Sequence, residues 1–292
     1  MNTGKNGRAL AFENEFAFLN LVHRYGHVRH ADIARSLWPR SSRVVAKTMV
    51  GRTSSRLLRN NEITRVFNPI GGFSYLLTPS GARKLGASLD PDDEDDVRSG
   101  AGLRSVFGPQ FMHRTIGTRY LIEKEIEGFT AYGEYALFRG HDGISREMFV
   151  EKFRKVPDGL VLAKGQTRGY DPDITLVDWI EVENYYKPPQ EREKILEIAM
   201  KSGTWLDTDR KLMLHRVVFV YLSINAHQRS IVSGVEKFIR AHGIKDQFLL
   251  DSIVLAECEV SPPFSWVGHT EMSWLDVLKS RGLDEADKPI SE

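Results

Sequence analysis

Ile174-Thr-Leu-Val-Asp-Trp-Ile-Glu-Val-Glu183 is the stretch on which the reading of this chain turns. Its β-branched and aromatic residues predict a strand. Residues i and i+2 of a strand point to one face, so Glu181 and Glu183 project together. Upstream, Val156-Pro-Asp-Gly-Leu-Val-Leu-Ala163 predicts a short apolar strand entered through the turn Pro157-Asp158-Gly159. If the two strands pair, Asp158 joins the glutamates at one sheet edge. Three converging carboxylates repel each other unless a divalent cation neutralises them. Such oxygen ligands favour Mg2+ or Mn2+ over Zn2+. A metal held there activates a water, clamps a scissile phosphate and stabilises the departing oxygen. Taken singly, Pro-Asp-Gly is a common turn and Glu-x-Glu a common exposed strand face. Their joint occurrence, in this order and behind a basic domain, points to a site.

Around this pair of strands the pattern predicts an α/β unit. Residues 111–127 have helical periodicity, and Thr130-Ala-Tyr-Gly-Glu-Tyr-Ala-Leu-Phe138 alternates as a strand. Pro189 to Ser202 reads as a helix with proline near its start. Arg216 to Ile224 is a buried strand, 229–242 a helix, and Ser252 to Cys258 a last strand. The order α-β-β-β-α-β, continued by α-β, suits a three-layer core with helices covering a mixed sheet.

The N-terminal part differs in charge. Residues 1–88 hold 14 Lys and Arg against 4 Asp and Glu, a net of +10, and since the whole chain is +1 the remainder is −9. A basic unit of this kind is suited to phosphate contact. Its elements are helices over 13–26, 28–38 and 43–60, with Phe16, Leu19, Val22 and His23 on one face of the first. Gly51 weakens the third helix. Strands over Glu62–Phe67 and Gly72–Thr78 follow, around Asn68-Pro-Ile-Gly-Gly72, and a short helix runs from Pro79 to Leu85. Three helices and a β-wing make a winged helix-turn-helix. On the third helix Arg52, Arg56 and Arg59 recur at i, i+4 and i+7, with Lys47 about one turn earlier. These four are the candidates to face a major groove, where Arg reads guanine edges or grips phosphates. A solvated helix face is the plain alternative.

The expected division is therefore a DNA-binding domain at 1–88, an acidic linker at 89–103, an α/β domain at 104–284 and a tail at 285–292. Asp90-Pro-Asp-Asp-Glu-Asp-Asp96 has six acids in seven residues and cannot bury a core. No apolar run is long enough for a transmembrane helix, so no membrane partner is expected. The start of the sequence lacks an apolar signal region, and the single cysteine, Cys258, excludes an internal disulfide and a Cys-based zinc site. A reducing cytoplasm is the expected compartment.

Asp158, Glu181 and the element order together resemble the PD-(D/E)xK nuclease superfamily, the restriction-endonuclease-like fold. The departure is Glu183, where that pattern most often has Lys. Some members carry Glu there, and others move the Lys to the following helix. Lys187, Lys194 and Lys201 are available, and Lys194 is the favoured substitute, steering water or offsetting phosphate charge. The layout over residues 13–225 is also similar to the plasmid replication-relaxation proteins, which include MobC-type conjugative relaxases. That likeness rests on Tyr75-Leu-Leu-Thr-Pro-Ser-Gly81, His113, Pro157-Asp-Gly159 and Glu181-Val-Glu-Asn184. It implies a metal-dependent nick in double-stranded DNA at a transfer or replication origin, with other transfer or replication proteins as partners. Without the Lys after Glu181, a non-catalytic initiator or regulator on a decayed nuclease fold is the rival expectation. An interaction module that recruits such machinery is a third. Glu134 is read as an outer carboxylate or a surface strand residue, and His113 as a core or capping histidine. Tyr185 and Tyr186 are read as packing residues, with a transient phosphotyrosine as the alternative.

Overall fold

The computed structural model describes residues 7–88, 106–108, 110–185, 187–224, 227–262 and 264–281. The segments read as acidic linker and tail, and Tyr186, lie outside them. The protein is mixed α/β and divides into two compact units. One runs to Gly128 and takes in Tyr132–Ser145; the other comprises Phe129–Ala131 and the chain from Arg146.

The first unit begins with α1 (Gly7–Tyr25), β1 (Val28–Arg29), α2 (His30–Leu37) and α3 (Arg43–Arg59). Val28 and Arg29 were expected in the second helix. Gly26, in the left-handed region at φ +74°, turns the chain out of α1, and the two residues pair instead with Tyr75 and Ser74. Ser42 caps α3 by accepting the Val45 N–H. The helix runs unbroken through Gly51 because Val50 and Leu57 bury on either side. Next come β2 (Ile63–Phe67) and β3 (Phe73–Leu77), antiparallel neighbours, with the small sheet ordered β1-β3-β2. In α4 (Pro79–Gly86), Thr78 accepts the Gly81 N–H and Pro79 sits in the first turn. A Cβ at Gly81 would stand 1.8 Å from the Glu62 carbonyl oxygen, so only glycine lets α4 pack this closely. Phe18, Leu19, Ile33, Val50, Leu57, Leu76 and Leu85 form the core. Each such side chain contributes about 1.5–3 kcal/mol on burial.

Helix α5 (Phe111–Ile126) belongs to this unit as well, although it follows the stretch read as a linker. Two ionic contacts tie it to α2. Arg119 lies 3.2 Å from the buried Asp32 and Glu123 lies 2.7 Å from Arg35. Burial pushes the Asp32 carboxyl up, but Arg29 and Arg119 outweigh it and hold the group below its ordinary value. The strand expected over Thr130–Phe138 is divided into β4 (Thr130–Gly133) and α6 (Glu134–Arg139). Adjacent Ala136 and Leu137 are both buried, which strand alternation forbids and a helical turn permits. Gly140, left-handed at φ +70°, closes α6.

The second unit contains α7 (Arg146–Phe153), β5 (Gly159–Lys164), β6 (Thr175–Val182), α8 (Pro189–Ala199), β7 (Trp205–Asp207), β8 (Leu212–Leu222), α9 (His227–His242), α10 (Gln247–Asp251), β9 (Ile253–Ser261), β10 (Ser265–Ser273) and α11 (Trp274–Ser280). The sheet is mixed and ordered β10-β9-β8-β6-β5-β4, with β7 attached to β8. β5 and β6 are antiparallel; β6, β8 and β9 are mutually parallel. Parallel neighbours need crossovers, which α8 and α9 supply. β9 was expected to be the last strand, but β10 folds back antiparallel on it. The central strands are buried runs, as parallel strands covered on both faces must be. Trp179 is fully buried between the rings of Phe149 and Phe153 of α7.

Candidate active site

The β5–β6 register aligns Gly159 with Ile180, so one step further Asp158 stands across from Glu181. Two hydrogen bonds fix Asp158 there. Its N–H donates to the Ile180 carbonyl (3.0 Å) and its Oδ2 accepts from the Val182 N–H (2.8 Å). Trp179, Glu181 and Glu183 share the alternate face of the strand. The Trp179 indole donates to Glu181 Oε1 at 2.7 Å. Both glutamates are fully buried.

Lysines and an arginine meet these acids. Lys155 Nζ and Lys187 Nζ each lie 3.2 Å from Glu181 Oε2. Lys187 Nζ is also 2.9 Å from Glu183 Oε1, and Arg192 Nη2 is 3.5 Å from Glu183 Oε2. These contacts to Glu183 are close in distance but poorly aligned: neither of its oxygens has a well-directed hydrogen bond. Burial raises the Glu181 carboxyl above its ordinary value, and the negative charge of Asp158 adds to that, while the lysines pull it back. Burial alone would lower Lys187, but Glu181, Glu183 and Asp158 raise it well above the ordinary range, so the ammonium stays charged. Arg192 is buried too, its Nη1 donating to the Ser230 carbonyl (3.0 Å) and hydroxyl (3.1 Å).

A cleft of about 510 Å3 opens beside this cluster and has Lys155, Lys187, Lys194 and Lys201 on its walls. Lys194, favoured from sequence, is exposed and makes no ion pair with the three acids among the described residues. Lys187 makes the contacts with Glu181 and Glu183 instead. Lys155 and Arg192 were not singled out from sequence: no motif marks Lys155, and only the packing of α8 against α9 brings Arg192 to Glu183. Asp178 was also passed over. It lies three residues before Glu181, on the other side of β6, where Arg168 (2.8 Å), Arg216 (2.8 Å) and His215 (3.1 Å) surround it. Burial opposes its ionisation, but Arg216, His215 and Arg168 hold its carboxyl far below the usual range.

Among the described residues no three His, Cys, Asp or Glu side chains are grouped closely enough to hold a metal unaided. Mg2+ commonly takes only one or two carboxylates and fills its shell with water or phosphate. Asp158 and Glu181, facing each other across β5 and β6, are the two carboxylates present for that mode, with Glu181 already met by Trp179, Lys155 and Lys187.

In the first unit, Lys47, Arg52 and Arg59 are exposed on α3. Arg56 instead turns back to α1, its Nε donating to Glu15 at 2.7 Å. Lys47 precedes Arg52 by five residues, which rotates it about 140° around the helix, to the far margin of the exposed face. Glu134 sits on α6 rather than on a strand, 2.9 Å from Arg114. His113 is half-buried on α5, and Tyr185 is exposed. No helix among the described residues is long and apolar enough to cross a membrane. In comparisons with known proteins the chain matches no family model, no curated protein and no solved structure.

Proposed function

We propose that the protein is a divalent-metal-dependent DNA endonuclease or nickase, relaxase-like in acting at a plasmid or mobile-element origin. In this reading the first unit is a winged helix that selects duplex DNA through Lys47, Arg52 and Arg59, and the second is a restriction-endonuclease-like unit that cuts. The observation that carries it is Asp158 set across from the buried Glu181 at a cation-lined cleft. Burying a carboxylate is costly even when it is paired, and perturbed groups of this kind cluster where their charge has a use.

Asp158 and Glu181 would hold Mg2+ or Mn2+, which when bound acidifies a water and offsets charge on the scissile phosphate. The Trp179 indole fixes the orientation of Glu181. Lys155 and Lys187 sit where they can offset charge that builds on the phosphate. Lys187 thereby takes the role that the superfamily pattern gives to a lysine two residues after the glutamate, and Glu183 anchors it. Lys194, on the wall of the cleft, steers the phosphate backbone.

The test is supercoiled plasmid carrying the cognate origin, incubated with protein and Mg2+ or Mn2+, with EDTA as control. Wild-type protein should nick it; Asp158→Ala and Glu181→Ala should bind it without nicking. A second reading is a non-catalytic initiator or regulator on a decayed nuclease scaffold. It is favoured by Lys187, whose ammonium touches both glutamates and neutralises them without any metal. Wild-type protein that binds the origin and never nicks it with either metal would establish that reading.

A further inference from the structure

We infer that the exposed face of α3 reads thymine, with Val44 and Val45 packing on C5-methyl groups in the major groove of duplex DNA. The inference deepens the proposed reading by naming what the first unit selects, and it rests on that reading for the winged helix. Val44 is 75% exposed and Val45 51%, side by side in the first turn of the helix. β-Branched residues are weaker helix formers than Lys, Gln or Glu, and on a solvated face they bury nothing in return. Folding alone gives them no use there. Their surroundings are cationic and uncompensated. Helix α3 has five Lys and Arg and no Asp or Glu. Arg40, Lys47, Arg52 and Arg59 are exposed, and they make no ion pair among the described residues. An apolar patch beside free cations fits a polyanion that carries methyl groups, and thymine is the base that presents one in the major groove.

Helix geometry puts Val44 at the head of a line of small residues. At about 100° per residue, Val44, Thr48, Gly51 and Ser55 fall within about 60° of arc, with Arg52 and Arg59 on one flank and Lys47 on the other. Thr48 turns its hydroxyl back to the Val44 carbonyl (2.9 Å) and Ser55 to the Gly51 carbonyl (2.7 Å), so no long or outward polar group breaks the line. A Cβ at Gly51 would meet nothing within 4 Å. Packing within the protein therefore does not call for glycine at this helix-interior position, where alanine is the better helix former. Glycine does let a backbone come close to a ligand. With the helix settled towards the groove floor, its first turn meets base edges and the flanking cations reach phosphates. Duplex RNA offers no such place, since its uracil lacks the methyl and its narrow major groove is closed to side chains.

The experiment selects duplexes from a randomised DNA pool with the full chain in EDTA. Anisotropy is then measured on a recovered duplex with each thymine in turn replaced by uracil, which removes only the C5-methyl. The wild-type protein should recover thymine at one or two positions and lose about fourfold in affinity for each methyl removed there, the factor that burial of one methyl-sized group supplies. Val44→Ser/Val45→Ser, at exposed positions that leave the fold intact, should bind the thymine and uracil duplexes alike. Its salt slope should stay unchanged, because Arg52 and Arg59 still grip phosphates. Gly51→Ala should raise the melting temperature of the free protein and yet lose duplex affinity. A pool with no thymine preference, a wild-type protein indifferent to uracil, or a serine variant that still senses the methyl overturns the inference. So does Gly51→Ala that binds as tightly as the wild type. Salt-sensitive duplex binding without methyl dependence sinks this inference alone, whereas a chain that binds no duplex sinks the winged-helix reading with it.

Discussion

Arg192 of α8 lies so close to Gly234 of α9 that a Cβ at position 234 would stand 2.9 Å from its Cδ. Glycine at this point lets the buried guanidinium pass between the helices to Ser230 and Glu183. Gly→Ala inside a helix normally stabilises by about 1 kcal/mol. Here the added methyl displaces Arg192, and overpacking costs about 1–3 kcal/mol. Gly234→Ala is therefore expected to lower stability by about 1 kcal/mol in urea unfolding. A gain of that size would show that Arg192 moves aside freely.

Lys187 is the common neighbour of Glu181 and Glu183. Removing one partner of a buried ionic cluster leaves charge uncompensated, so Lys187→Ala should cost about 3 kcal/mol. Adding Glu183→Gln to that variant should restore part of the loss, because one buried negative charge goes with it. A double variant no more stable than the single would mean that Lys187 stabilises through packing of its alkyl chain instead.

If Asp158 and Glu181 hold a metal, Mg2+ or Mn2+ should raise the melting temperature of the wild-type protein. At a metal concentration about 100 times the dissociation constant the gain is about 2.7 kcal/mol. Glu181→Gln should abolish the shift. Equal shifts in both proteins would place the bound ion elsewhere.

His27 supplies a pH dependence. Burial first, then the nearby Arg114, lower its imidazole from the ordinary 6.5 to about 4. The folded state thus binds its proton less readily than the unfolded chain. Its contribution is complete above about pH 6.5 and is lost as pH falls towards about 4, up to roughly 3 kcal/mol at about 1.4 per unit. His27→Gln should flatten that acid limb of the stability profile. An imidazole NMR titration midpoint near 6.5 in the folded protein would sink the assignment.

The arginines of α3 should separate by role. Arg52→Ala and Arg59→Ala, both at exposed positions, should weaken duplex binding and reduce its salt slope by about 0.9 each. Arg56→Ala breaks the contact with Glu15 and should lower stability by up to about 1 kcal/mol while changing DNA affinity least. If Arg56→Ala weakens binding most, the Glu15 contact yields to DNA.

Local chemistry made much of this legible in advance. Apolar runs and turn residues mark β2, β3, β5, β6 and β8, and period-two alternation puts Glu181 and Glu183 on one side of β6 before any neighbour is known. The turn at Pro157-Asp158-Gly159 likewise opens β5. Alternation misled over Thr130–Phe138, because a short helix with adjacent buried residues imitates a strand in so brief a window. The acidic stretch and the change of charge could not show the ties of α5 to α2, because these are made by single side chains far apart in sequence: Arg119 with Asp32, Glu123 with Arg35.

What the sequence by itself determined is which residues share a face, since that depends only on the local period of the backbone. What only the tertiary structure decided is which charges meet. Lys187 rather than Lys194 reaches the glutamates, Arg192 threads past Gly234 to Glu183, and Arg56 turns inward to Glu15. Long side chains on separate elements choose partners by the packing of those elements, and no local pattern in the chain encodes that choice.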